Sequence, residues 1–160
     1  MRSETKNRYA ARTLAGALVR DQHGSMLLEF SLSVWLLFLV TFLIFEFCMT
    51  IYTCSVLGNA AREGVRYAIV HGTDSSSCSG PSSGCSDSSG GNIQAVVNSY
   101  ASISFHDLTH MTVTPSWPDG ASTPSSRVLV TISYPYVPYL SLPGFSAPSM
   151  NVTAEGRIVY

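Results

Sequence analysis

Residues 26 to 45 read MLLEFSLSVWLLFLVTFLIF, twenty positions carrying a single charge, Glu29. At about 1.5 Å per helical residue, such a run covers the roughly 30 Å hydrocarbon layer of a bilayer. A transmembrane helix is therefore the first expectation. The rest of the composition agrees: 12% of residues are charged, where soluble chains average about 25%. With 160 residues, the chain has room for one domain besides the anchor.

The charges are sorted along the chain. Arg2, Lys6, Arg8, Arg12 and Arg20 face only Glu4 and Asp21 within residues 1 to 24, whereas residues 25 to 160 hold four basic and eight acidic side chains. A basic flank stays cytoplasmic, which predicts the N-terminus inside and everything after about Tyr52 outside. A cleaved secretory signal competes poorly. Its apolar core is typically ~7 to 15 residues and is closely followed by a small-x-small site, while here the nearest candidate, Gly58-Asn59-Ala60, lies well beyond a longer run. Neither Cys48 nor Cys54 is preceded by the small residues of a lipidation signal. The anchor is expected to stay.

Glu29 lies five residues after Gly24. A charge within a bilayer costs about 2.5 to 3.5 kcal/mol even on mild insertion scales, so it marks a functional candidate. Cutting between Gly24 and Ser25 would create an α-ammonium one helical turn from Glu29, and in an assembly the amine of one subunit could neutralise the carboxylate of another. The alternative is that Glu29 snorkels at the interface of an uncleaved anchor. Spacing alone leaves both open.

The stretch Gly24-Ser25-Met26-Leu27-Leu28-Glu29-Phe30 resembles the processing site of type IV prepilins, which an inner-membrane aspartic peptidase cuts after glycine. Phe45-Glu46-Phe47, Ile51-Tyr52 and above all Asn59-Ala60-Ala61-Arg62-Glu63-Gly64-Val65-Arg66-Tyr67-Ala68 resemble the TadE-like pseudopilins of Flp (Tad) pilus systems. The ending Val130-Thr131-Ile132-Ser133-Tyr134-Pro135-Tyr136 is also similar. The likeness is strong over residues 20 to 72 and loose elsewhere. Type IV pilins often begin the mature chain with phenylalanine, and here Ser25 takes that place, a departure that bears on N-methylation more than on cleavage.

Between Ser55 and His71 only Gly58 and Gly64 oppose helix, so the membrane helix is expected to continue for about four turns beyond the membrane. Ala60, Gly64, Ala68 and Gly72 form a ridge almost without side chains, which admits close approach of another backbone. Packing on the chain's own strands is preferred to packing on a neighbouring subunit, because a small domain needs a seat. Arg62 and Arg66 lie opposite, with Glu63 placed to pair with Arg66. Glu46 is 17 residues beyond Glu29, about 25 Å along a helix, where a solvated or headgroup-exposed carboxylate is the cheaper expectation. Cys48 and Cys54 face different directions and are expected to be buried thiols.

Residues 72 to 91 hold nine serines and five glycines, the composition of a flexible surface loop. Within this exported segment Cys78 and Cys85 are expected to form a disulfide. A short helix should start at Asn92 as N-cap, with Ile93, Val96, Val97 and Tyr100 on one face. Three strands then follow by alternation: around Met111 and Val113; through Val128, Val130, Ile132 and Tyr134; and through Val152, Ala154, Gly156 and Ile158. Proline keeps the links 115 to 126 and 135 to 149 out of central strands. The second link is unusually apolar and has three possible partners: lipid, a neighbouring subunit, or the domain's own core.

The predicted fold class is α+β: a long N-terminal transmembrane helix extended into an exported amphipathic helix, packed on an antiparallel sheet of about three strands with a short helix. Its divisions are a basic cytoplasmic leader (1–24), the membrane and extended helix (25–71), the loop (72–91) and an exported β-rich domain (92–160). No enzyme site is expected. His106-Asp107-Leu108-Thr109-His110 echoes a zinc motif, yet aspartate replaces the general-base glutamate and no third ligand is evident. No phosphate loop, nucleophile elbow or nucleic-acid surface is present in the sequence, and no cofactor or metal is expected. The resemblance implies a minor pilin in the bacterial inner membrane, whose partners are a prepilin peptidase, a major pilin, a second pseudopilin and the assembly platform with its ATPase. The competing reading is an uncleaved, membrane-anchored binding module.

Overall fold

The computed structural model describes residues 2–139 and 149–159, with side chains from Gly24 onward. Its elements are α1 (Arg2–Val70), α2 (Gly91–Ala101), β1 (Thr112–Ser116), β2 (Arg127–Pro135) and β3 (Ser149–Arg157). The class is α+β, as the alternation and the apolar run imply. The chain divides into two compact units, Met1–Phe45 and Glu46–Tyr160.

The first unit is helical. From Gly24 to Phe45 nearly every side chain faces outward, Met26, Phe30 and Trp35 among them at 65 to 69% exposure. Ser31 and Thr41 turn their hydroxyls back onto the carbonyls of Leu28 and Leu37, so they need no outside partner. Leucine, phenylalanine and valine remain as the outer surface of this stretch.

The second unit is built around β2. Its sheet is antiparallel in the order β1-β2-β3, with Val113 opposite Ile132 and Val130 opposite Ala154. Strict alternation buries Val128, Val130, Ile132 and Tyr134 and leaves the intervening residues outward. Leu57, Ala60, Ala61, Val65 and Ala68 of α1 join them, with Ile93, Val97 and Ala101 of α2, to make one apolar core. The small ridge of α1 is therefore spent inside the chain: a methyl group at Gly64 would lie 2.5 Å from Cγ2 of Val97 and 3.5 Å from Ile93 and Val130. Gly156 of β3 repeats the device, since a Cβ there would lie 2.5 Å from Val65 and 2.7 Å from Ile69.

Three local departures from the sequence reading have physical causes. β1 runs through Pro115 into the expected link, and it is an edge strand of the sheet, where a residue without an N–H is tolerated. The helix α2 begins at Gly91, not after Asn92. Its N-cap is Gly90 at φ 76°, where Pro115 and Trp117 would leave a Cβ only 3.0 Å of room. The capping group comes from Asp87, whose carboxylate accepts the N–H groups of Gly91 and Asn92 at 2.8 and 2.9 Å and the Ser79 hydroxyl at 2.9 Å. Burial pushes the Asp87 pKa up, but these donors and Ser89 outweigh it and hold the carboxyl below its ordinary value.

The third departure is the loop at 72–91, which is pinned. Cys78 and Ser79 are buried, Thr73 donates N–H to the carbonyl of Ser122, and the Ser122 N–H reaches the Ser82 hydroxyl. The Ser75 and Ser82 hydroxyls accept backbone N–H groups that a flexible linker would leave to water.

Candidate functional site

Gly24, Ser25 and Glu29 lie on α1, and the helix is unbroken through the Gly24-Ser25 bond. Glu29 is exposed on an apolar surface, and among the described residues it has no ion-pair partner. The helix from Gly24 to Val70 is long and apolar enough to cross a membrane, and its most apolar window has no buried share. An all-round apolar helix of this kind is matched to lipid or to other helices.

The block at residues 59–67 divides by face. Ala60, Ala61 and Gly64 are buried in the seat of the sheet, while Asn59, Arg62 and Arg66 point to solvent. Arg62 donates to the Asn59 side-chain oxygen at 3.3 Å, and Arg66 stands 3.9 Å from Glu63 with 81% of its side chain exposed. So open a pair contributes little to stability. Tyr67 stacks on His71 with ring centroids 3.9 Å apart.

A second cluster, which the sequence reading missed, gathers where the second unit begins. The Tyr136 hydroxyl donates to Oε1 of Glu46 at 2.7 Å across 90 residues. The His106 ring lies 4.8 Å from Tyr136 and 4.4 Å from Tyr139, with Nδ1 3.3 Å from the Thr53 hydroxyl. Glu46 is thus a half-buried, hydrogen-bonded group and not the solvated carboxylate expected. Helical periodicity turns it toward the same side as Thr50 and Thr53, under the start of the second link. No short motif announces a contact between residues so far apart.

The environment of Tyr136 gives a measurable consequence. Burial, aided by the facing Glu46 carboxylate and opposed by Thr50, raises its pKa to about 12. The folded chain therefore holds this proton after the unfolded chain, with an ordinary value near 10, has lost it. Stability is full below about pH 10 and falls as pH rises toward 12, by about 2 kcal/mol. Tyr136→Phe should remove that part of the alkaline loss in unfolding titrations. Burial also raises Tyr134, with Asp107 and Tyr139 adding to it, so a smaller loss should persist.

Of the cysteines, Cys78 and Cys85 are brought together with Cα atoms 4.9 Å apart, a separation that disulfides take. Cys48 and Cys54 are exposed, contrary to the buried thiols expected. Cys48 lies on the side of α1 away from the core residues Leu57, Ala60 and Ala61, whereas Cys54 shares the flank of Leu57 and Ala61 and lines an open cleft with Gly58 and Val152. Thiol titration of the unreduced, denatured protein should find two free groups of the four cysteines, and four after reduction.

His106 and His110 are not brought to a common site: the first is buried among aromatic rings and the second is exposed. Among the described residues no three His, Cys, Asp or Glu side chains converge as metal ligands.

Residues 24–66 match the family model of TadE-like protein. The chain carries a TadE-like segment. That segment begins at Gly24 and ends at Arg66, so it takes in Glu29, the apolar run and most of the divided block. The TadE-like family is associated with Tad pili and is not an enzyme family. No curated protein and no solved structure matches the chain.

Proposed function

We propose that this chain is a minor pilin, or pseudopilin, that takes part in building a Flp (Tad) type IV pilus. In this reading a prepilin peptidase removes residues 1–24, α1 stays in the bacterial inner membrane with its N-terminal end cytoplasmic, and the β-rich domain is exported. Glu29 then pairs with the N-terminal amine of an adjacent subunit, which sets the axial register of the assembly. The observation that carries the reading is the coincidence of two features. The TadE-like match starts at the glycine of the expected cleavage bond, and the segment after it is a bare apolar helix with one carboxylate.

The proposed partners are the peptidase, the major pilin, a second pseudopilin and the assembly platform. A peptidase must act on an extended backbone, and glycine at position 24 eases local opening of α1, since glycine weakens a helix by about 1 kcal/mol relative to alanine. Intact mass and N-terminal sequencing, from cells with and without active prepilin peptidase, test the reading. A mature chain beginning at Ser25 only with the peptidase supports it. An intact leader in both strains rejects it in favour of an uncleaved, anchored binding module.

A further inference from the structure

Between His71 and Asn92 the sequence holds no alanine, larger aliphatic or aromatic side chain apart from Pro81. Yet Cys78, Ser79 and Gly80 are buried in a row. No apolar side chain draws this turn inward. Its backbone is held by the Ser79 N–H, which donates to the carbonyl of His71 just past α1, and by the Gly80 N–H, which donates to the carbonyl of Asp87, both at 2.8 Å. Trp117 closes on the segment at two places: a Cβ at Gly80 would lie 3.2 Å from its ring, and one at Gly90 3.0 Å.

Asp87 joins this turn to α2. It is paired with Ser79 by a β-bridge, and the carboxylate that accepts the Ser79 hydroxyl is the one that accepts the N–H groups of Gly91 and Asn92. The N-cap residue itself, Gly90, has no side chain to do so. The first turn of α2 therefore depends on where Ser79 and Asp87 stand. Ser79 adjoins Cys78, whose Cα lies 4.9 Å from that of Cys85.

We infer that oxidation of Cys78 and Cys85 to a disulfide is a redox lock on α2. The bond holds the 78–85 turn closed, the closed turn sets Ser79 against Asp87, and Asp87 caps the helix. Reduction loosens residues 72–91 and frays the first turn of α2, while the sheet stays in place. The effect is local for two reasons. A cross-link over so short a loop removes less entropy from the unfolded chain than a longer one. The core of β2 against α1, from Val128 to Tyr134 on Leu57 to Ala68, contains no residue of the segment.

Closing the lock transfers two electrons and two protons from the Cys78 and Cys85 thiols to an incoming disulfide, of a protein or a small thiol. Cys85 is the more exposed of the two, so its thiolate attacks first and expels one thiol. The Cys78 thiolate then attacks the Cys85 sulfur of the mixed disulfide and expels the second. Opening is the reverse, with a dithiol as reductant.

The test uses the full chain in detergent micelles, alkylated without reduction. Two added groups per chain are expected, at Cys48 and Cys54; four would show that the bond is absent and overturn the lock. Amide hydrogen exchange is then followed by mass spectrometry before and after reduction with dithiothreitol. Reduction should speed exchange at residues 91–94 by about fivefold or more, the effect of a lost N-cap, and leave residues 128–134 unchanged. Cys78→Ser with Cys85→Ser should behave like the reduced chain, and reduction of the already folded protein gives the same reading without that variant. Asp87→Ala should open residues 91–94 with the disulfide intact, and reducing it should add nothing there. Unchanged exchange at 91–94 on reduction overturns the lock. Opening of 128–134 together with 91–94 also overturns it, since the bond then supports the whole core. A further rise when Asp87→Ala is reduced overturns the route through Asp87.

Discussion

Glu29→Leu is expected to leave the chain fully inserted in the membrane and to reduce the number of pili per cell to that of a strain lacking the protein. Removing the carboxylate relieves an insertion cost of about 2.5 to 3.5 kcal/mol, so the variant should be held in lipid more firmly than the natural chain. If Glu29 only snorkels toward the interface, that gain is the whole effect and piliation is unchanged. If it neutralises the amine of an adjacent subunit, the partner amine is left uncompensated and the contact fails. Counting pili by electron microscopy, with membrane fractionation as the control, separates the two. Glu29→Asp, which keeps the charge on a shorter arm, should recover part of the assembly.

Gly64→Val is expected to destabilise the sheet-bearing unit by about 1 to 3 kcal/mol. The first carbon of the new side chain would already sit 2.5 Å from Val97, before either methyl is added. For a domain of this size each kcal/mol lowers the melting temperature by about 4 to 8 °C, which near-ultraviolet circular dichroism of the detergent-extracted chain would register. Adding Val97→Ala opens the space and should return part of the loss, with a coupling of about 0.5 to 3 kcal/mol between the two sites. Were the small ridge a subunit interface instead, melting would be unaffected and only assembly would suffer.

How far the residues foretell these arrangements depends on how local the deciding force is. The apolar run, the period-two alternation of β2 and the small ridge of α1 each express burial on one face of one element, and each reads directly from spacing. The start of α2 did not, because Asn92 has the chemistry of an N-cap while the working acceptor, Asp87, lies outside the helix and reaches back to it. Serine and glycine at 72–91 suggested freedom, yet the Ser79 hydroxyl ties the loop to its own Asp87, and the Ser82 hydroxyl and Thr73 N–H hold it to Ser122. The apolar second link proved divided. Tyr136 belongs to the core, Val137 and Tyr139 face outward, and its remainder at 140–148 lies outside the described residues.

At the candidate site the same rule holds. Gly24, Glu29 and the block at 59–67 were legible because they sit on one helix at fixed spacing. The Glu46–Tyr136 bond and the His106 cluster were not, since they join distant segments through single contacts. Exposure of Cys48 and Cys54 was also missed. Cysteine is among the most buried residue types, and only the placement of the sheet shows that Cys48 lies on the far side of α1 and that Cys54 borders an open cleft beside Val152.

The order in which the core is completed matters for how such a chain is made. α1 supplies Leu57, Ala60, Ala61, Val65 and Ala68 to the core, yet the groups that cover them, Val128 to Tyr134 of β2 and then Gly156 and Ile158, are made well after it. Until they emerge, Leu57, Val65 and Ile69 have no strand to rest on. A ribosome that stops before Arg127 thus releases a chain in which Leu57, Val65 and Ile69 have neither β2 nor β3 to rest on, and added protease should cut such a fragment where the finished fold is protected.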